Sequence, residues 1–178
     1  KSRLLQAVGK RSQKLRRELK SHVGDLERRL RMTDSDLDET LRKSPIWRDA
    51  DDILQSFPGI GRHTSLMILG GLREIGTVSG SQIASLFGLA PMNRDSGSQR
   101  GKRRTGGGRY HLRAALFLPT LAAIRHNPLI RAYYQRLTKA GKPRMVAVVA
   151  CMRKILVTLN AMIKTKTRWQ APAMPATA

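Results

Sequence analysis

Leu15, Leu26 and Leu37 stand eleven residues apart, and so do Leu19, Leu30 and Leu41. Eleven residues over three turns is 3.67 per turn, close to a straight α-helix with a slight right-handed supercoil. The spacing predicts one long helix over residues 1–44. Its apolar stripe is narrow and its other faces are densely charged, the pattern of a coiled-coil arm that requires a partner helix. The plainer alternative is a single amphipathic helix packed on the rest of the chain. Thr33-Asp34-Ser35-Asp36 offers a second helix cap, and a break there would make the arm a helical hairpin. Lys1 already falls inside the helical pattern, so further residues are expected upstream.

Ser44-Pro45 ends the arm. Beyond it the chain reads as a series of short helices. Residues 46–57 form the first, with Trp47, Ile53, Leu54 and Phe57 as core candidates. Others follow over 62–71, near 81–87 with Ser79 or Ser81 as cap, and over 109–125, where Pro119 is expected to introduce a kink. Asn127-Pro128 restarts a helix to about residue 139, residues 140–143 turn, and 144–165 is the last. No segment carries a convincing strand pattern. The expected fold is all-α: a coiled-coil arm (1–44), a compact helical domain (45–168) and a disordered tail (169–178). The domain contains a hairpin (53–71) and a serine-bearing basic loop (90–109). At 178 residues and 40% apolar, the chain can bury one proper core.

Charge narrows the function. The net charge is +22, and it is unevenly placed: residues 1–74 hold 16 basic and 11 acidic residues, whereas residues 75–178 hold 18 basic residues and one acid, Asp95. A polyanion partner, nucleic acid first, accounts for such an excess, because each lysine or arginine on a phosphate releases condensed counterions. An anionic membrane ranks lower, since no helix pairs a Trp/Phe-rich apolar face with the basic one. Aromatics make up only 4%, which counts against an all-β protein and against base-stacking platforms. The lone Cys151 allows no internal disulfide, and four scattered histidines (22, 63, 111, 126) with one cysteine build no zinc site. With no signal peptide and no apolar run of transmembrane length read from the sequence, a cytoplasmic protein is expected.

Two stretches carry candidate chemistry. SFPGIGRHTSLMIL has the form of a helix-hairpin-helix. Gly59 and Gly61 permit the positive φ angles of a tight turn, Ile60 anchors it, and Ser65 is small where the helices approach. The amides of Gly59 and Gly61 and of the second helix then face outward to bind phosphate, with Arg62 and His63 adding charge. Such contact is independent of base sequence, and the plain alternative is a structural turn that binds nothing. The second stretch is NRDSGSQRGKRRTGGGR, residues 93–109. Arg94, Arg100, Lys102, Arg103, Arg104 and Arg109 could bind phosphates and stabilise a phosphorane-like transition state, and the glycines 101 and 106–108 suggest a loop that orders on its ligand. By residue type alone Ser96 is a turn residue, since a nucleophilic serine requires activation and no base stands beside it.

The order FPGIGRHTSLMIL, then GLAP (88–91), Ser96-Gly97, the basic glycine-rich 101–108 and RYHLRAAL (109–116) resembles the C-terminal transposase domain of the "IS one-ten" insertion-sequence family. That family includes the pilin-gene inverting recombinases. The likeness is strong over residues 45–140, matches the arm in kind, and is loose over the last 40 residues. It implies a DNA transposase or site-specific recombinase with a composite site. Ser96 would be the nucleophile that becomes covalently linked to the DNA backbone, with Arg113 among the DNA contacts; Ser98 is a weaker candidate and Asp95 a possible orienting group. The family's RuvC-like domain supplies four acidic residues that bind Mg²⁺, and a bridge RNA specifies target and donor DNA. Dimers or tetramers, here through the coiled-coil arm, place one protomer's serine near another's acidic cluster. No RuvC-like half is read in this sequence, so no cofactor is expected in it; as a bacterial, nucleoid-associated fragment it would bind DNA without cutting it. The competing reading is a non-catalytic helix-hairpin-helix module that only grips phosphates. A ribosomal-protein-like component suits the charge but leaves the motif order unexplained.

Overall fold

A computed structural model describes residues 2–92 and 104–171. The serine segment 93–103 and the tail beyond residue 171 lie outside the described residues. The chain divides into two units, Lys1–Pro45 and Ile46–Ala178.

The first unit is one helix, α1 (Ser2–Lys43), whose 42 residues span about 63 Å at 1.5 Å per residue. Its stripe is uncovered: Leu15, Leu19, Val23, Leu26, Leu30 and Leu37 are 44–65% exposed. The cap expected at 33–36 does not interrupt it. The Thr33 hydroxyl donates back to the Arg29 carbonyl (3.0 Å), as Thr40 does to Asp36 (2.9 Å), so these hydroxyls bond the preceding turn instead of starting a new helix.

In the second unit, α2 (Pro45–Gln55) leads through a turn to α3 (Arg62–Gly71), then α4 (Gly80–Leu86), two short strands, α5 (Tyr110–His126), α6 (Pro128–Lys139) and α7 (Arg144–Thr165). This agrees with the all-α expectation. Helix α7 is the hub and packs on α4, α5 and α6, while α3 lies on α5. Ala147, Val148, Cys151, Met152, Ile155, Leu156, Leu159, Asn160 and Met162 of α7 are buried. By length and hydropathy α7 could cross a membrane, contrary to the sequence reading; it is apolar around most of its circumference because neighbours cover several of its sides.

Local chemistry sets the helix ends. Ser79 and Gln82 form a reciprocal capping box on α4. The buried Asn127 side chain accepts from the amides of Leu129 and Ile130, with Pro128 in the first turn of α6. Pro119 sits inside α5 without ending it.

Three differences from the sequence reading have physical causes. Trp47, expected in the core, is 43% exposed; it stands in the first turn of α2, one turn before Ala50, which does pack on the core. Trp169, expected in the tail, meets the Phe57 ring edge-on at 4.6 Å, and its amide donates to Ser56 Oγ (2.8 Å). Arg168 pairs with Asp52 (2.8 Å) beside it, so the boundary expected after residue 168 falls inside this contact. Finally, β1 (Pro91–Met92) pairs antiparallel with β2 (Arg104–Thr105). Two residues per strand are too few to display alternation in a sequence.

Candidate nucleic-acid interface

The hairpin is a tight turn closed by the Ile60 amide donating to the Phe57 carbonyl (3.0 Å). Ile60 and Phe57 are buried. Gly59 has φ +105° and lies directly on α5: a β-carbon there would stand 2.9 Å from Ala123 Cβ and 3.0 Å from the Pro119 carbonyl oxygen. Only glycine permits both the conformation and the approach. Gly61 departs from expectation. Its φ of −92° and ψ of 172° are ordinary extended values, and nothing lies within 4 Å of its would-be β-carbon. Its smallness keeps the space before the first amides of α3 open, and no side chain caps that helix. Arg62 and His63 are exposed in that first turn, and Ser65 is buried at the helix contact with its hydroxyl unpartnered.

The second feature is the neck of the serine segment. Met92 pairs with Arg104 and Pro91 with Thr105, which closes residues 93–103 at their base. Below that pair the backbone is in close contact with itself. Gly88, Gly107 and Gly108 have φ of +70°, +66° and +62°; a β-carbon on Gly88 would collide with the Gly107 carbonyl, and one on Gly108 with the Leu86–Gly88 backbone. The Arg109 amide donates to the Leu86 carbonyl (2.9 Å). Arg113 Nη1 donates to the Gly107 carbonyl (2.8 Å) and the Gly88 carbonyl (3.3 Å), with its guanidinium 5.4 Å from the Tyr110 ring centre.

An ion pair ties this neck to the core. Arg109 presents both terminal nitrogens to Glu74, at 2.7 and 2.8 Å, a two-point geometry that fixes direction as well as distance. The hydrogen bonds from Arg109 lead in holding the Glu74 carboxyl at about 2, below its ordinary 4.5, and the carboxylate in turn raises Arg109. Glu74 is held by its turn. Buried Asn160 on α7 accepts from the Gly76 amide (2.8 Å) and donates to the Val78 carbonyl (2.9 Å). Support therefore runs from Asn160 through the 74–78 turn and Glu74 to Arg109 and the neck.

Of the residues singled out in the sequence, Arg109 and Arg113 are engaged in this framework, while Arg104 is exposed on the ribbon. Ser96, Ser98, Arg94, Asp95, Arg100, Lys102 and Arg103 lie outside the described residues. Sequence reading passed over Glu74 and Asn160, and it had Gly88 only as part of the GLAP motif, with no structural role. Two of these left signals: Glu74 is the last acid before a stretch of more than one hundred residues containing only Asp95, and Asn160 is a polar residue inside an apolar run.

The hairpin and the neck sit at different points along α5. The hairpin rests on Pro119 and Ala123, whereas the far end of α3, at Gly71, meets Leu112, close to the Arg109 neck. Ten residues of helix separate Arg109 from Pro119, about 15 Å, or roughly four base pairs of DNA at 3.4 Å each. Among the described residues no group of three or more His, Cys, Asp or Glu could hold a metal ion. The Cys151 thiol is buried and pushed up to about 11 by desolvation, which leaves it unreactive as a nucleophile.

Residues 51–135 match the family described as Transposase IS116/IS110/IS902. The chain is 32% identical over 127 residues to the 43.6 kDa protein of insertion element IS110 from Streptomyces coelicolor, covering 70% of this chain and 31% of that protein. It is 36% identical over 155 residues to the 42 kDa protein of insertion element IS900 from Mycobacterium paratuberculosis, covering 82% and 35%. The pilin gene-inverting protein of Moraxella bovis is 31% identical over 116 residues, covering 63% and 36%. The chain spans about a third of the length of these relatives.

Proposed function

The chain belongs to the IS116/IS110/IS902 transposase family, and from that membership we propose that it is the serine-bearing portion of a DNA transposase or recombinase. Ser96 Oγ attacks a backbone phosphorus. The Oγ–P bond forms, the bond from phosphorus to one deoxyribose oxygen breaks, and that oxygen leaves as a hydroxyl. The serine proton passes, through water or a general base, to the leaving oxygen, and the Mg²⁺ that the family's RuvC-like domain would hold would activate the nucleophile or the scissile phosphate. The single observation that carries the reading is the neck: the family-matched region encloses residues 93–103 between paired strands anchored to α5 and α7. The paired strands hold together the two ends of the stretch that carries Ser96 in the sequence.

The remaining parts follow the same reading. The open amides at the start of α3, with Arg62 and His63, grip phosphate as a helix-hairpin-helix. The remaining cations of the 90–108 stretch, Arg104 among them, bind the neighbouring backbone. The uncovered stripe of α1 pairs with a second copy as a coiled coil, giving the oligomer in which one protomer's serine serves another's acidic site. A bridge RNA selects the DNA, and the cytoplasm, at the nucleoid, is the place of action; both rest on the family resemblance. Arg109 and Arg113 are positioning residues in this account, since they hold the neck.

The test is a denaturing gel of the complete enzyme with Mg²⁺, guide RNA and labelled target and donor DNA. A covalent protein–DNA band is expected; Ser96→Ala abolishes it with DNA affinity nearly intact, and Ser98→Ala leaves it in place. A band that survives Ser96→Ala moves the nucleophile. Absence of any band returns the chain to a phosphate-gripping module.

A further inference from the structure

Beside the neck lies a groove of about 520 Å³ that the reading above does not use. One wall is the ribbon, with Arg104 and Thr105; the other is the first turns of α7. Met145, Val146, Val149 and Ala150 form the apolar floor, and Arg104 and Arg153 stand over it. Met145 and Val146 are 60% and 52% exposed, an unusual position for two neighbouring apolar residues at the start of a core helix. The surroundings are cationic: Lys142 and Arg144 are exposed at the same end of α7, and only one acid follows Glu74 in the entire sequence.

We infer that this groove receives a single unstacked nucleobase, with Arg104 and Arg153 on the flanking phosphates. An aliphatic floor accepts the flat face of any base, and guanidinium planes stack on bases as well as pairing with phosphates. Enzymes that do chemistry on a base hold the extruded base between aromatic or apolar side chains, so an apolar floor with cations beside it is a known way to seat one. Charge argues for this occupant over an apolar protein segment, because two arginines at the rim match a sugar-phosphate chain and leave a neutral helix nothing to neutralise. Arg104 also pairs with Met92 at the base of the segment that bears Ser96, so the groove lies beside one end of that segment. The inference rests on the proposed nucleic-acid role and adds to it a site for a base, independent of base identity.

Fluorescence anisotropy of the full chain, at one fixed salt concentration, separates the two. The probes are labelled oligothymidylate and an abasic sugar-phosphate strand of the same length. The chain should prefer oligothymidylate by roughly fivefold, the low end of the range for a base on an aromatic ring, since this floor is aliphatic. Ala150→Leu, which fills the floor and leaves every cation in place, should erase that preference without changing the affinity for the abasic strand. Met145→Ser, at an exposed position outside the core, should weaken the preference in the same direction and serves if Ala150→Leu fails to fold. A preference that survives both substitutions overturns the inference. Equal binding of the two strands by the unmodified chain also overturns it, keeps the phosphate-gripping role, and assigns the groove to an apolar protein segment. Failure to bind either strand rejects both readings.

Discussion

Helices α1 and α7 are both long and both leucine-bearing, yet they stand in opposite environments. In α7, Leu156 and Leu159 are fully buried; in α1, Leu26 and Leu30 are 50% and 65% exposed. The difference lies in what surrounds the apolar positions. Helix α7 is apolar on several sides, and three neighbouring helices cover it. Helix α1 confines its leucines to a stripe between charged faces, and those from Leu15 to Leu37 are exposed. Periodicity thus establishes a helix in both cases, and the width of the apolar face separates a helix wrapped by neighbours from one with an exposed stripe.

The largest effect should come from breaking that contrast directly. Leu156→Ala should destabilise the compact unit by about 2–5 kcal/mol, the cost of a lost side chain and its residual cavity, read by urea denaturation. Leu26→Ala should change the same midpoint by under about 0.5 kcal/mol while weakening self-association in sedimentation. Equal losses for the two would remove the distinction between core helix and arm.

The two hairpin glycines give a smaller version of the same comparison. Gly59→Ala meets Ala123 and the Pro119 carbonyl and forces an alanine to positive φ, so it should cost about 1–3 kcal/mol. Gly61→Ala faces open space with ordinary dihedrals and should leave thermal stability within about 0.5 kcal/mol, yet reduce DNA affinity if a phosphate approaches there. A stability loss at Gly61 matching that at Gly59 would mean that the open face is occupied by the protein itself.

The smallest effect belongs to Glu74. Its folded value of about 2 lies below its ordinary 4.5, so its stabilisation is present above about pH 4.5 and is lost as pH falls through about 2. Glu74→Gln should therefore lower the melting temperature at neutral pH and make it less sensitive to acid over that window. An acid response identical to that of the unmodified protein would show that the neck does not depend on the Arg109 pair.

These contrasts also mark what the sequence disclosed. Helix periodicity, the Pro45 break, the Asn127-Pro128 start and the hairpin around Ile60 were readable because each is set by neighbours within a few residues. The capping pair Ser79/Gln82 follows the same logic. The neck was not, because it depends on pairings distant in sequence: Glu74 with Arg109, Asn160 with the 76–78 turn, Gly88 with Gly107. Arg109 and Arg113 look in the sequence like two more members of a basic run. Their hydrogen bonds set them apart from exposed Arg104, and only the folded chain brings those acceptors within reach. Trp169 illustrates the same limit, since its partner Phe57 is more than one hundred residues away.

The central claim is that the segment held by this neck delivers the attacking hydroxyl from Ser96. Its most direct measurement is mass spectrometry of the protein–DNA adduct after nuclease trimming and proteolysis of the complete enzyme. One modified peptide is expected, spanning Ser96, that carries a nucleotide through a phosphodiester on the serine oxygen. A nucleotide on Ser98, on Tyr110 or on any residue outside 93–103 would contradict it.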